Sequence, residues 1–112
     1  MTIGELVERT GFSVLTQNCP LDAQVTGGVC CDLLSWVIAK GAPGNAWITV
    51  QTHMNVVAVA SLHEFACVIL AEGATMPPEV LQKAEAEHVP VLGAPASEFA
   101  ASGLLYSLGV GK

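Results

Sequence analysis

The chain has 112 residues, of which 52% are hydrophobic and only 12% are charged. That length is typical of one domain, and charged residues interrupt every apolar run before it could span a bilayer, so a transmembrane helix is excluded. The first residues lack the pattern of a secretory signal, and we expect a cytoplasmic protein that contacts no membrane. A net charge of −6 with scattered basic residues excludes a nucleic-acid interface, which needs clustered cations; those residues are Arg9, Lys40, Lys83 and Lys112.

The shortage of charge also bears on assembly. Soluble domains carry roughly 25% charged residues, about twice the fraction found here, so the chain has little material with which to cover an apolar surface. We expect part of that surface to be buried in a homo-oligomer, a dimer or higher. The alternative is a monomer whose exterior consists of alanine, glycine and threonine.

The first helix has clear boundaries in the sequence. Thr2-Ile3-Gly4-Glu5 matches a capping box, with Thr2 as the N-cap, and Gly11 is a typical C-terminal stop. Residues 13–16 predict a short strand after this helix.

Residues 25–31 predict a buried strand that is entered through the pair Gly27-Gly28. Asp32 then stands where an N-cap is needed for a helix over residues 33–39, since aspartate is a preferred N-cap residue. Glycine and proline at positions 41–44 predict the turn out of that helix.

The second half of the chain alternates between strand and helix patterns. A helix opened by Pro77-Pro78 is the most regular, and the last helix has Phe99, Leu104 and Leu105 as its apolar anchors before a short tail. In chain order the sequence predicts strand 46–50, helix 56–62, strand 66–70, the helix after Pro78, strand 89–92, helix 95–108 and tail 109–112. This alternation predicts an α/β fold: one domain over residues 1–112, with a mainly parallel sheet of about five strands and flanking helices.

Ligands of parallel sheets bind beyond the carboxyl ends of the strands, and four loops fall there. The loop at residues 51–55 is the richest, because Gln51, Thr52, His53 and Asn55 lie between an apolar strand and an apolar helix. We interpret these side chains as hydrogen-bonding groups of a ligand site. In the alternative interpretation, Thr52 or Asn55 caps the next helix while Gln51 and His53 satisfy loop backbone.

Three further positions complete the candidate site. Thr26, Gly27 and Gly28 could admit the close approach of a ligand or another chain, because glycine has no Cβ, although most glycine pairs only form turns. Asp32 orients the site or caps its helix, and Ser35, one turn later, could share a site with it.

The sequence predicts neither a metal site nor a cofactor. Cys19, Cys30, Cys31 and Cys67 contain no C-x-x-C pair, and we interpret them as free thiols that fill small apolar spaces. His63 and His88 fall at helix ends, which is a structural position for histidine.

The residues discussed so far resemble one family. Thr26-Gly27-Gly28, Asp32 to Ser35, the segment from Trp47 to His53 with Asn55, and Val57 to Ala60 are similar, in order and spacing, to the DRTGG domain. The similarity covers almost the whole chain, although Gln24-Val25 stands where the family's name has Asp-Arg.

This resemblance implies a function. Family domains occur beside phosphotransacetylase domains and between the CBS domains of some inorganic pyrophosphatases, and they are similar to the N-terminal domain of HPr kinase/phosphorylase. The resemblance therefore implies an accessory, self-associating α/β domain rather than an enzyme. We expect a regulatory domain that binds a small metabolite, a nucleotide or a protein partner. Two alternatives are a small phosphotransfer or hydrolytic enzyme that uses His53, and a purely structural protein-interaction module.

Overall fold

The computed structural model describes residues 1–111. Over this part of the chain, helices and strands alternate from β2 onward. The strands are β1 (Ser13–Val14), β2 (Gly27–Cys30), β3 (Asn45–Thr49), β4 (Cys67–Leu70) and β5 (Val91–Gly93). The helices are α1 (Ile3–Thr10), α2 (Leu34–Lys40), α3 (Met54–Leu62), α4 (Pro78–Ala86) and α5 (Glu98–Ser107).

The strands form one sheet in the order β1-β5-β4-β3-β2. Strands β2 to β5 are parallel neighbours, and β1 pairs antiparallel with β5. The prediction of a single α/β domain with a mainly parallel, five-stranded sheet is confirmed. This topology makes β2 and β1 the two edge strands.

Helices cover both faces of the sheet, because the side chains of each central strand alternate between two apolar clusters. On one face α1 and α5 pack through Ile3 and Leu105 in the cluster that contains Ile48. On the other face the helices that connect the parallel strands contribute Val37, Val57 and Val80.

The predicted boundaries of α1 are confirmed. The Thr2 hydroxyl accepts a hydrogen bond from the Glu5 N–H at 3.1 Å, and the Glu5 carboxylate accepts one from the Thr2 N–H at 3.0 Å. Gly11 ends the helix at a φ of +74°, in the left-handed region that favours glycine.

The structure corrects three local predictions. Gly27 and Gly28 lie inside β2, not in a turn before it, and β2 is a half-exposed edge strand and not a buried one. Asp32 does not cap α2, whose N-cap is Leu33 without a side-chain hydrogen bond. Phe99 is 91% exposed and anchors nothing, because α5 turns Ala101 and Leu105 toward the sheet instead.

The predicted tail is partly packed. Val110 is 7% exposed and lies in the core cluster with Leu105, whose carbonyl accepts a hydrogen bond from the Val110 N–H. Lys112 lies outside the described residues. Across residues 1–111, every helix is too short or too polar to cross a membrane.

Two glycines with opposite surroundings test the packing. A Cβ at Gly41 would clash with the ring of Phe65 and lie 2.8 Å from the Val37 carbonyl oxygen, whereas a Cβ at Gly103 meets no atom within 4 Å. Phe65 is buried and cannot swing away. We expect Gly41→Ala to destabilise the protein by about 1–3 kcal/mol through overpacking. We expect Gly103→Ala, inside α5, to stabilise it by roughly 0.5–1 kcal/mol.

Equilibrium denaturation of both variants measures the two effects against wild type. A neutral Gly41→Ala would contradict the packing of α2 against Phe65. A destabilising Gly103→Ala would contradict the open helical environment of that glycine.

Candidate ligand-binding site

The loops that follow β2 to β5 gather on one edge of the sheet, as the parallel topology requires. The loops after β4 and β5 are joined by hydrogen bonds from Glu72 N–H to the Ala96 carbonyl and from Gly73 N–H to the Ala94 carbonyl. The loops after β2 and β3 are joined through Asp32. This carboxyl edge contains most of the polar side chains that the sequence placed in a candidate site.

Asp32 connects the end of β2 to the end of β3. Its Oδ1 accepts a hydrogen bond from the Thr49 hydroxyl at 2.7 Å and another from the Val50 N–H at 2.9 Å. Its backbone carbonyl accepts a third from the Gln51 side-chain amide at 3.2 Å. Thr49 is fully buried, so the carboxylate gives its hydroxyl an acceptor where water cannot reach.

These bonds also set the charge state of Asp32. Partial burial opposes ionisation, but the hydrogen bonds from Val50 and Thr49 outweigh it and hold the pKa of Asp32 below its usual range. The group is therefore a fixed carboxylate that orients two loops. The structure places Asp32 in an orienting role and not in that of a helix cap.

A shallow depression lies beside this network. Gln51, Thr52 and His53 line it on one side, and it is closed on the other side by the start of α4. It has a volume of about 390 Å³, and Met54, Pro77, Glu79 and Val80 complete its lining. Polar donors therefore face apolar carbon across a space within the usual range for small-molecule sites, roughly 300–1,000 Å³.

His53 is the N-cap of α3. Its Nδ1 accepts a hydrogen bond from the Asn55 N–H at 3.1 Å. A neutral imidazole that accepts at Nδ1 carries its proton on Nε2, so the imidazole presents a hydrogen-bond donor at its other nitrogen. In this tautomer the one basic lone pair of the imidazole, on Nδ1, is used by the cap, so His53 is not set up as a base.

The remaining predicted residues are not brought together with the depression. Asn55 and Ser35 are exposed and line neither this depression nor the cleft described below. Thr26 and Gly27 lie at the opposite edge of the sheet, where the Thr26 hydroxyl donates to the Pro43 carbonyl at 3.4 Å. Gly28 lines the cleft on the α5 side of β2.

Sequence reasoning missed Glu98, which begins α5. Its Oε2 is shut off from water and finds no hydrogen-bond partner within residues 1–111. Burial, together with the neighbouring carboxyl of Asp32, raises the pKa of Glu98, because protonation would let it donate to Asp32. Its position in the sequence could have indicated it, because Glu98 follows the loop after β5, and the topology brings that loop to the same edge of the sheet as Asp32.

A cleft of about 260 Å³ between β2 and α5 was also missed. Ile48, Leu105 and Val110 form its apolar part, and Cys30 and Ser102 contribute polar atoms. The Ser102 hydroxyl is enclosed beside the Cys30 thiol, and partial desolvation of that thiol raises its pKa although the contact with Ser102 opposes the shift. No local sequence pattern indicates this cleft, because its lining comes from β2, β3, α5 and the residues after α5.

The cysteines occupy different environments. Cys67 is fully buried, which raises its pKa to about 12 and leaves it an inert filler, as expected. Cys30 is exposed on the edge strand, so it does not fill a core space. Within residues 1–111, no three histidine, cysteine, aspartate or glutamate side chains come together as metal ligands would.

No family model matches the sequence, and a search of curated proteins finds no relative. Among solved structures, the chain is similar to the crystal structure of the CBS and DRTGG domains of the regulatory region of Clostridium perfringens pyrophosphatase, complexed with its activator diadenosine tetraphosphate. The TM-score is 0.71 at 15% identity, over 93% of this chain and 45% of that one. The chain thus spans less than half of that structure, and at this identity the likeness establishes a shared fold.

The cap at His53 gives a first test of the site. His53→Ala leaves the Asn55 N–H without its acceptor, and we expect a loss of about 1 kcal/mol of stability. His53→Asn keeps a side-chain acceptor at the N-cap and should cost only a few tenths of a kcal/mol. Thermal or urea denaturation of the two variants measures the difference. Equal losses in both would show that the imidazole matters for packing and not for the cap.

Glu98 gives a test by pH. Its pKa is higher in the folded than in the unfolded chain, so the folded state is favoured at low pH, and this contribution is lost as the pH rises through the folded pKa. Ionised Glu98 beside Asp32 therefore lowers stability at neutral pH. We expect Glu98→Gln to raise the melting temperature at pH 7 by a few degrees, roughly 0.5 kcal/mol.

That gain should fall close to zero at pH 4, where the carboxyl is largely protonated in both states. Glu79→Gln is the matched control, because Glu79 also lies in the first turn of a helix but is exposed. Melting curves from pH 4 to pH 8 measure both variants. A gain in stability for Glu98→Gln that does not change with pH would contradict the proposed repulsion between the carboxylates of Glu98 and Asp32.

Proposed function

We propose that this chain is a DRTGG-like regulatory domain that senses a small metabolite or nucleotide, and that it works as a homo-oligomer. The observation that carries the proposal is the depression at the carboxyl edge of the sheet, lined by Gln51, Thr52 and His53. It has the position at which parallel sheets bind ligands and the polar groups to orient one.

The chemistry of the depression indicates the kind of ligand. His53 offers the Nε2 proton, Thr52 a hydroxyl and Gln51 a side-chain carbonyl, while Pro77 and Val80 offer apolar carbon. Glu79 is the charged residue of the lining, and it is acidic. A ligand with an apolar or aromatic part and several hydrogen-bonding groups suits this surface. An anionic group would rely on the first N–H groups of α3, where the helix dipole is positive.

The shared fold supports a regulatory role. The similar structure is the regulatory region of an enzyme, and it was solved with a nucleotide activator. We extend that role to this chain as part of the proposal, because a protein with the same fold belongs to the regulatory region of an enzyme and was solved with an activator bound. The cytoplasmic location belongs to the same proposal, and the four free thiols suit a reducing compartment.

Self-association is supported by the surface. Large apolar side chains remain exposed on α2, on α5 and at the end of α3, in a chain that is only 12% charged. The most exposed are Leu33, Trp36, Leu62, Phe99 and Tyr106. Apolar groups left in water favour burial against another molecule.

The enzyme alternative has weaker support. A phosphotransfer or hydrolytic role for His53 needs a free lone pair and an orienting carboxylate. Nδ1 of His53 is occupied by the cap of α3, and within residues 1–111 its hydrogen bond is with a backbone N–H and not with an acid. The purely structural alternative predicts no ligand at all, so the experiment below separates it from the proposal.

A ligand screen tests the proposal. We expect diadenosine tetraphosphate, ATP, adenosine or an uncharged analogue to raise the melting temperature, by about 2.7 kcal/mol of stability at 100 times the dissociation constant. Thr52→Val removes one hydroxyl and keeps the shape of the side chain, and we expect it to weaken binding roughly 10-fold. Calorimetric titration measures the affinity of the compound that gives the largest shift.

Gln51→Ala should also weaken binding, and Gln82→Ala is its matched control on the exposed face of α4. If no compound shifts the melting temperature at millimolar concentration, the ligand-sensing role is wrong and the structural alternative is favoured. If Ser102→Ala weakens binding and Thr52→Val does not, the ligand lies in the cleft between β2 and α5 and not in the depression.

A further inference from the structure

Strand β2 has a free side. It lies at the end of the sheet and pairs with β3 alone. The Cys31 N–H donates to the Ile48 carbonyl at 3.2 Å, so this residue faces β3. Because backbone groups of successive strand residues point to opposite sides, the N–H and C=O groups of Gly28 and Cys30 point away from the sheet. Both residues are exposed, and their backbone groups form an open edge.

Apolar side chains flank this open edge on both faces of the sheet. On one face, α2 is the outermost helix, and Leu33, Trp36 and Ile38 are 62%, 55% and 48% exposed. On the other face, α5 packs against β2 and β3, and Tyr106, 60% exposed, lines the cleft beside Gly28 and Cys30. We call these six residues, Gly28, Cys30, Leu33, Trp36, Ile38 and Tyr106, the β2 edge surface.

None of the six residues of the β2 edge surface is charged, although the chain has a net charge of −6, and the charge that lies over it is the Lys40 ammonium, 5.2 Å from the centroid of the Trp36 ring. Two copies of an acidic protein repel one another, so a stable contact between them needs a surface without like charges. Exposed edge strands are usually protected by charged residues, proline or a bulge. Residues 27–30, the strand itself, contain none of these.

We propose that β2 pairs antiparallel with β2 of a second copy of this chain, about a two-fold axis at Val29. Two sheets of five strands then become one continuous sheet. The proposal rests on the self-association part of the proposed function and identifies the surface responsible. It commits to a second copy, because an antiparallel pair of identical strands about a two-fold axis is complementary to itself.

The register of the proposed β2–β2 pair follows from the backbone groups of Gly28 and Cys30 that point away from β3. With the axis at Val29, Gly28 faces Cys30 of the partner subunit, and such a pair exchanges two hydrogen bonds. The symmetric pair exchanges two more, which uses every outward N–H and C=O of Gly28 and Cys30. Gly28 has no side chain, so it leaves room above the sheet for Cys30 of the partner subunit. An axis one residue away would leave part of the open edge unpaired.

Two variants disrupt this contact by different means. Cys30→Pro removes an N–H that points away from β3, so the hydrogen bonds within the sheet remain, and proline is tolerated on edge strands. Trp36→Glu places a charge in the flanking surface and can pair with Lys40 at i,i+4. Leu62→Glu is the control, because Leu62 is 79% exposed but lies at the end of α3, outside the β2 edge surface.

Native mass spectrometry and sedimentation equilibrium of the full chain measure the assembly. We expect wild type and Leu62→Glu to have the mass of two chains, and we expect Cys30→Pro and Trp36→Glu to raise the dissociation constant at least about 10-fold. Circular dichroism checks that each variant is folded. Because Trp36→Glu changes only an exposed helix position, it keeps the test valid if Cys30→Pro fails to fold.

A cross-link tests the register. Val29→Cys in a Cys30→Ser background should form an intermolecular disulfide on mild oxidation, because residues facing each other without hydrogen bonds lie about 4.5 Å apart at Cα, within reach of a disulfide. A monomeric wild type at 100 μM overturns the inference and the self-association part of the proposed function, but not its ligand-binding part. A wild-type dimer that neither variant weakens, with no cross-link at position 29, overturns the β2 contact alone.

Discussion

The hydrogen bonds that the Asp32 carboxylate accepts hold the carboxyl edge of the sheet together. Parallel strands β2 and β3 are separated in sequence by α2. Beyond the last backbone hydrogen bonds between these strands, side-chain contacts fix the direction in which each segment leaves the sheet. Oδ1 of Asp32 does this by accepting from both the buried Thr49 hydroxyl and the Val50 N–H. The direction of the chain at Gln51, and with it the placement of Thr52 and His53, depends on that contact. Removing the carboxylate would leave the buried Thr49 hydroxyl, which still accepts from the Gln51 N–H, without an acceptor for its own proton, at a cost of about 1–3 kcal/mol.

The same contact explains two features that look unrelated. Because the Asp32 side chain is turned toward β3, it is not available to cap α2, which begins at Leu34 without a side-chain cap and has 7 residues. Leu33 and Trp36, at the start of this short helix, are exposed. Burial of Glu98, together with the ionised Asp32 beside it, raises the pKa of Glu98. The proposed ligand at this edge would therefore be held by hydrogen bonds and apolar contact and not by salt bridges.

Local signals predicted most of the fold. The capping box at Thr2 and Glu5, the stop at Gly11 and the apolar runs of β3 and β4 each depend on residues close in sequence, and each matches the structure. The errors arose where a residue distant in sequence determines the contacts of a side chain. Asp32 is a preferred N-cap residue and stands directly before a predicted helix, but its carboxylate accepts a hydrogen bond from Thr49, 17 residues away. The alternative interpretation of the loop at residues 51–55 had Thr52 or Asn55 as the cap of α3, whereas the imidazole of His53 has that role. Glu98 and the cleft beside Cys30 depend on how α5 crosses the sheet, which no local pattern specifies.

The proposed ligand site and the proposed contact between copies share a physical connection. Gln51 lines the depression, and its amide also donates to the backbone carbonyl of Asp32, two residues after the outward-facing Cys30. A ligand bound by the Gln51 side-chain carbonyl would contact the same amide whose N–H donates to the Asp32 carbonyl at the end of β2. If β2 pairs with a second copy, the pairing fixes the same segment of backbone. Binding and assembly then act on one hydrogen bond, and by linkage each changes the free energy of the other by the same amount. In the proposed regulatory domain, this coupling would run through the side-chain amide of Gln51.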